Sequence, residues 1–197
     1  MSLQDVKALG EKLTGVGRPR HVVPRRRKAH TLRFADDGGT PNNPYLPTIL
    51  YRSPVKFEQG CDPAALFEVL FASHGWKSSW RDGIYDFNHF HTGTHEVLGI
   101  AKGWARVRLG GRAGRMIDLK CGDVIVLPAG TGHQRLAKSR NLLVVGAYPG
   151  TGAYDEPGPG EVDHQKAVAR IAKVRLPAAD PVYGAAGPLK TLWRKPH

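Results

Sequence analysis

The stretch from Gly83 to His133 does more than any other part of this chain to limit its fold. Five residues separate Gly83 from His89, and one separates His89 from His91. Glu96 follows after four more residues and Gly103 after a further six. A second block runs Gly122, five residues, Pro128, one residue, Gly130, two residues, His133. Nine positions in two blocks place three imidazoles and one carboxylate where turns alternate with short strands. That arrangement reads as a small β-barrel with a metal site inside it.

The spacing has a physical basis. Side chains alternate across a strand, so His89 and His91 point to the same side. Tyr85 to His91 is rich in aromatics and reads as a strand, with Tyr85 and Phe87 on the histidine face. After Thr92, Gly93 and Thr94, the residues Glu96, Leu98 and Ile100 share one face of the next strand. The apolar run Val124 to Leu127 suits a strand covered on both faces. Pro128 to Gly132 is a tight loop that stops it, and His133 opens the next strand. His95 is next to Glu96, so a regular strand turns it away from the ligand set; only a bulge would exchange the two.

His89, His91, Glu96 and His133 form a borderline-hard nitrogen and oxygen donor set. It suits one divalent transition metal per chain: Fe, Mn, Ni, Cu or Zn. The absence of a cysteine ligand argues against a closed structural zinc site. A six-coordinate ion on four ligands keeps two positions for water, substrate or dioxygen.

These two blocks resemble the motifs of the cupin superfamily at both glycines, the histidine pair, the glutamate, the proline and the last histidine. One position departs: where cupins often carry Asn, four residues after the final histidine, this chain has Ala137. That Asn is not a ligand. Further segments are similar to YjlB-type cupins. They include Thr40 to Asn43, Leu46 and Pro47, Tyr51 and Arg52, and Gly75 and Trp76. Trp80 to Gly83, His95 to Gly99, Gly146 to Pro149 and Asp180 to Gly184 belong with them. The resemblance spans about residues 29 to 194. It implies an all-β core, a double-stranded β-helix (jelly-roll barrel) with short flanking helices, and a four-ligand metal site. It implies no particular activity, because fold does not stand in for function.

Residues 1 to 28 then read as a basic N-terminal extension, solvated and poorly ordered. Residues 29 to 197 form a single cupin domain, with the barrel core at about 84 to 149 and a C-terminal helix and tail over 161 to 197. Within the extension, Ser2 to Leu13 suits a short helix with Val6, Leu9 and Leu13 on one side. Strands are expected at His30 to Phe34, Thr48 to Arg52, Trp104 to Leu109, Arg115 to Leu119 and Leu142 to Ala147. Asp62 as N-cap and Pro63 at the first position start a helix through Ser73, with Phe67, Leu70 and Phe71 as a core stripe. Gly150 to Gly160 reads as a linker, and Val162 to Val174 as an amphipathic helix. The tail carries Tyr183, Leu189, Leu192 and Trp193 for packing on the barrel or on a second subunit.

The formal charge is +12, but much of it is local. Residues 18 to 33 hold seven Lys or Arg and no acid, leaving 22 basic against 17 acidic residues elsewhere. This basic arm lacks the interleaved aromatics of single-strand binders and any helix pair for reading DNA, so nucleic acid is not its expected partner. No stretch suits a transmembrane span, and Met1 to Leu13 lacks a signal pattern. With Cys61 and Cys121 as reduced thiols, the expected compartment is the cytoplasm.

Three functional classes follow. The favoured one is a metal-dependent enzyme of oxygenase, isomerase or decarboxylase type acting on a small molecule. The alternative is a non-catalytic small-molecule binding or sensing cupin. The third is a polyanion binder led by the basic arm. A homodimer fits exposed sheet edges and the apolar tail. Beyond the ligands, Arg135 shares strand parity with His133 and is a candidate anchor for a substrate carboxylate, with simple exposure the commoner fate of such an arginine. Trp76, Trp80, Tyr85 and Phe87 are candidates for a pocket mouth, with aromatic core as the plainer reading.

Overall fold

The computed structural model describes residues 22–150 and 154–194. The expected helix over Ser2 to Leu13 therefore lies outside the described residues. Nine strands are seen in the described chain: β1 (Ala29–Leu32), β2 (Thr48–Tyr51), β3 (Trp76–Asp82), β4 (Glu96–Lys102), β5 (Trp104–Leu109), β6 (Arg115–Lys120), β7 (Val124–Leu127), β8 (His133–Lys138) and β9 (Leu143–Pro149). Three helices accompany them: α1 (Pro63–Ser73), α2 (His164–Lys173) and α3 (Leu189–Leu192). All pairings are antiparallel, in one sheet ordered β1-β2-β7-β4-β9-β3 and a second ordered β6-β5-β8. The two sheets form the jelly-roll barrel. The larger one takes in β1, β2 and β3, all ahead of the 84 to 149 stretch marked by the motifs.

Alternation along the central strands builds two apolar cores. On β4, Leu98 and Ile100 face between the sheets, where they meet Ile125 and Leu127 of β7 and Leu109 of β5. Val97 faces the other way, with Val126 and Val145, beneath Phe67, Leu70 and Phe71 of α1. β7 is buried at all four positions because both of its faces are covered, as its unbroken apolar sequence requires. Burying one such side chain contributes on the order of 1.5–3 kcal/mol.

α1 begins as expected: the Asp62 side chain accepts from the Ala64 N–H at 3.0 Å, and Pro63 opens the first turn. It packs so closely that a Cβ on Gly99 would sit 2.8 Å from the Phe67 ring. The tail packs on its own barrel, since Val182, Leu189 and Trp193 belong to the core beneath α1. The Trp193 Nε1–H donates to the Pro47 carbonyl at 2.8 Å. Residues of the basic arm are pinned as well: the Arg25 N–H donates to the Pro54 carbonyl at 2.7 Å, and the Arg27 N–H to the Tyr183 hydroxyl at 3.1 Å. Gly110 to Gly114 is the β5–β6 hairpin turn.

One local expectation fails. Tyr85 to His91 is not a strand; its sheet pairing is a single bridge, His89 to His133. The reason lies in where its backbone bonds go. The His91 carbonyl accepts from the Gly130 N–H at 2.7 Å, and the Phe90 N–H donates to the Pro157 carbonyl at 3.2 Å. Loops satisfy the His91 end, while β8 meets the rest only at isolated points: His89 and His133 exchange backbone bonds at 3.2 and 2.9 Å, and the Arg135 N–H donates to the Tyr85 carbonyl at 2.7 Å. The segment remains extended enough to keep both imidazoles on one side.

Candidate metal centre

Three elements deliver the four donors. The extended segment carries His89 and His91, the first residue of β4 is Glu96, and the first residue of β8 is His133. The turn before β8 requires glycine: Gly130 has φ of 89°, and a Cβ there would lie 2.6 Å from the Asn42 carbonyl oxygen.

The imidazole donor atoms of His89, His91 and His133 lie within 4.8 Å of one another, and all three residues are buried. Glu96 joins them, with Oε2 3.2 Å from His91 Nε2 and 3.4 Å from His133 Nε2. Two bonds of about 2.1 Å to one ion span at most ~4.2 Å, so small side-chain adjustments suffice to close this cluster on a cation. Each ring turns Nδ1 outward to a backbone carbonyl: His89 to Phe87 at 3.4 Å, His91 to Asp155 at 2.5 Å and His133 to Thr131 at 3.1 Å. Since a carbonyl only accepts, each Nδ1 carries the proton and each Nε2 is aimed at the shared centre. Donor type, tautomer and convergence all fit a divalent transition metal.

The electrostatics without metal agree. Burial drives the His89 imidazole down to about 3, helped by its two histidine neighbours, so it stays neutral. Burial also opposes charge on His91, but the Glu96 carboxylate outweighs it and raises that ring to about 9. Burial pushes the Glu96 carboxyl upward, and His91 with His133 overcomes this and holds it far below the ordinary carboxylate range.

His95 stands outside the cluster. Its Nδ1 accepts from the Ala129 N–H at 2.9 Å, Nε2 donates to the Arg175 carbonyl at 3.2 Å, and the ring lies 4.7 Å from Trp193. Regular strand geometry at β4 turns it to the outer face, with no bulge between it and Glu96. Arg135 does not face the site as a carboxylate anchor. Its Nε donates to the Ile84 carbonyl at 2.9 Å and its Nη2 pairs with Asp86 at 3.2 Å, so the guanidinium is held at the segment before His89. Among the aromatics, Trp76 is core and donates to the Ala179 carbonyl at 3.0 Å. Trp80 and Tyr85 line a cavity, while Phe87 stacks on Tyr85 with centroids 4.8 Å apart and is half exposed.

That cavity, about 240 Å³, opens directly above the donors; His89, Glu96 and His133 contribute to its wall. Two features of it left little mark in the sequence. Tyr148 shares β9 parity with Val144 and Gly146 and so points between the sheets; that alternation was the available signal. Its hydroxyl accepts from the Trp80 Nε1–H at 2.9 Å and hydrogen-bonds Glu96. Burial, then the Glu96 charge, pushes this phenol well above the ordinary tyrosine range, so it remains a donor to the carboxylate. Gly146 makes room: a Cβ there would lie 2.1 Å from the Trp80 ring.

The second feature is the strap at 154–158, inside the segment expected to be a linker. Asp155 Oδ1 accepts from the N–H groups of Thr92 and Gly93 at 2.9 and 3.2 Å, and Oδ2 accepts from the Thr92 hydroxyl at 2.5 Å. Burial pushes the Asp155 carboxyl up, but the Thr92 donors outweigh it and leave it below its ordinary value. Because the Asp155 carbonyl also receives the His91 Nδ1–H, this side chain holds the His91 ring in place. Asp155→Ala is expected to weaken metal binding by roughly 10–100-fold in a chelator competition, the usual cost of losing a ligand's outer support. Asp155→Asn, which retains an acceptor for Thr92 and Gly93, is expected to keep most of the affinity.

No family model matches the chain. Among solved structures, the acireductone dioxygenase of Bacillus anthracis with cadmium in its active centre is 19% identical over 45% of this chain and 59% of its own, with a TM-score of 0.34. The Mn(II)-containing oxalate decarboxylase of Bacillus subtilis is 14% identical over 64% of this chain and 30% of its own, TM-score 0.34. A TDP-fucose-3,4-ketoisomerase from Campylobacter jejuni is 13% identical over 72% and 93%, TM-score 0.37. The uncharacterised protein YjlB of Bacillus subtilis is far nearer in sequence, 37% identical over 169 residues that make up 86% of this chain and 99% of YjlB. With that identity along nearly the whole relative, and with both histidine blocks in place on a two-sheet barrel, the chain belongs to the YjlB family of cupins.

Proposed function

We propose that His89, His91, Glu96 and His133 hold one divalent transition metal and that the protein is a metal-dependent enzyme acting on a small molecule in the cavity above them. The observation carrying this reading is the convergence of three buried imidazoles, all with Nε2 inward, on one carboxylate beneath an accessible cavity. A metal in such a site supplies Lewis acidity and open positions for a ligand. The chain's own groups do the rest. Backbone carbonyls hold the rings, Tyr148 orients Glu96, and Trp80 with Tyr148 keeps bulk water from one wall. At about 240 Å³ the cavity lies below the ~300–1,000 Å³ of drug-sized sites, which favours a small substrate.

Elemental analysis of natively purified protein tests the metal, with about one Fe, Mn, Ni, Cu or Zn per chain expected. A value near zero overturns it. Turnover of metal-loaded protein on phenolic, thiol and keto-acid compounds tests catalysis. Saturable binding with the ligand recovered unchanged would instead favour a binding or sensing module.

The pH dependence has a definite sign. A His91 raised to about 9 is protonated at neutral pH, so a metal must displace that proton. Affinity is expected to rise by up to about tenfold per pH unit below pH 9 and then level off. Metal-free stability runs the opposite way: the His91 contribution is fully present below pH 6.5 and fades as pH rises towards 9. Calorimetry in two buffers of different ionisation enthalpy should register about one proton released per ion at pH 7.

A cytoplasmic homodimer belongs to the same proposal. Two free thiols, Cys61 and Cys121, support a reducing compartment. The edge strand β6, with Met116 exposed, supports association. A monomer by sedimentation at working concentration would remove the dimer. No helix among the described residues is long and apolar enough to cross a membrane.

A further inference from the structure

A chain with 29 Lys and Arg against 17 Asp and Glu would be expected to line its openings with cations. The cavity above the candidate metal centre does the reverse. Among its described lining residues, Asp82 and Glu156 stand at the mouth and Arg81 is the one Lys or Arg. That guanidinium is already engaged on all three nitrogens. Nε and Nη2 donate to the two Glu68 oxygens at 2.7 and 2.8 Å, and Nη1 donates to Asp62 at 3.1 Å. A substrate carboxylate at the mouth meets two acids and no available Lys or Arg.

The remaining wall is aromatic. Tyr154 stacks on the buried Tyr148 with centroids 5.0 Å apart and is itself about half exposed. Tyr85, 43% exposed, reaches Glu156 through its hydroxyl at 3.4 Å. Ring faces beside carboxylates attract an ammonium group, which is stabilised within about 6 Å of a ring centroid. The three donors at the floor and the aromatic walls leave room between them for a small ring.

Resting on the metal-site reading above, we infer that the cavity takes a small aromatic molecule bearing an amine, its ring against Trp80 and Tyr154 and its ammonium group at Asp82 and Glu156. Selectivity then comes from charge at the mouth, independently of what the metal does.

Calorimetry on the metal-loaded protein with three probes of one shape tests this: tyramine, the uncharged 4-ethylphenol and the anionic 4-hydroxyphenylacetate. Tyramine is expected to bind at least about tenfold more tightly than 4-hydroxyphenylacetate, with 4-ethylphenol between them. Glu156→Gln, a change at an exposed position, should cut the advantage of tyramine below about threefold and leave 4-ethylphenol unchanged. Equal or tighter binding of 4-hydroxyphenylacetate overturns the inference. So does a lack of saturable tyramine binding, or a preference that survives Glu156→Gln combined with Asp82→Asn. Metal content measured on the same sample separates the two claims. A metal-loaded protein without the preference sinks only this inference, whereas a preference in protein that holds no metal sinks only the metal site.

Discussion

Stripping metal from the protein with a chelator is expected to lower its melting temperature by about 5–10 °C. An ion present at ~100 times its dissociation constant adds about 2.7 kcal/mol to folding. In a domain of this size each kcal/mol moves the midpoint by roughly 2–4 °C. His133→Ala should hold almost no metal and should show no response to the chelator. The arrangement explains why His133 is a sensitive choice. Its Nε2 lies 3.4 Å from Glu96, its Nδ1 is turned to Thr131, and its backbone forms the bridge to His89. Alanine keeps the bridge and removes the donor. The measurement is a thermal melt of wild type and variant, each with and without chelator. An unchanged midpoint in wild-type protein shown to contain metal would break the link between the site and stability.

The second large effect lies away from the cavity. Asp180→Ala is expected to cost about 3–5 kcal/mol, because it leaves several buried donors without their acceptor. Asp180 is completely buried. Its Oδ1 accepts from the N–H groups of Val182 and Tyr183 at 2.8 and 3.0 Å, and its Oδ2 from the Tyr51 hydroxyl at 2.5 Å and the Leu189 N–H at 3.1 Å. Burial, reinforced by this carboxylate, pushes the Tyr51 phenol well above its ordinary range, so the hydroxyl stays a donor. Alanine would strand four donors in a dry interior and release the tail from β2. Urea unfolding should show the loss as a lower midpoint. Protein that remains folded should bind metal normally, because none of these contacts touches the histidine cluster. A loss below 1 kcal/mol would mean that the tail is held by its apolar residues alone.

Asp180 and Asp155 also show where sequence reading stops. Strand parity placed Leu98 and Ile100 on the same side as Glu96, and the two-residue spacing put His89 beside His91. The capped start of α1, the doubly covered β7 and the glycine turn before His133 were legible for the same reason. Each is a short-range pattern in which the backbone period dictates direction. The strand expected at Tyr85 to His91 failed because its backbone partners are divided between β8 and loops far along the chain.

The chain's local pattern, then, determined which candidate donors exist, which way they point and that they sit in a β-barrel. Tertiary structure alone decided what surrounds them. It sent Arg135 to Ile84 and Asp86, occupied Arg81 with Glu68 and Asp62, and brought Tyr148, Tyr154 and Glu156 to the cavity. Asp155 meets Thr92 across 63 positions of sequence. No repeat of 2 or 3.6 residues records such a contact, because it depends on how separate elements pack and not on the direction in which any one of them turns its side chains.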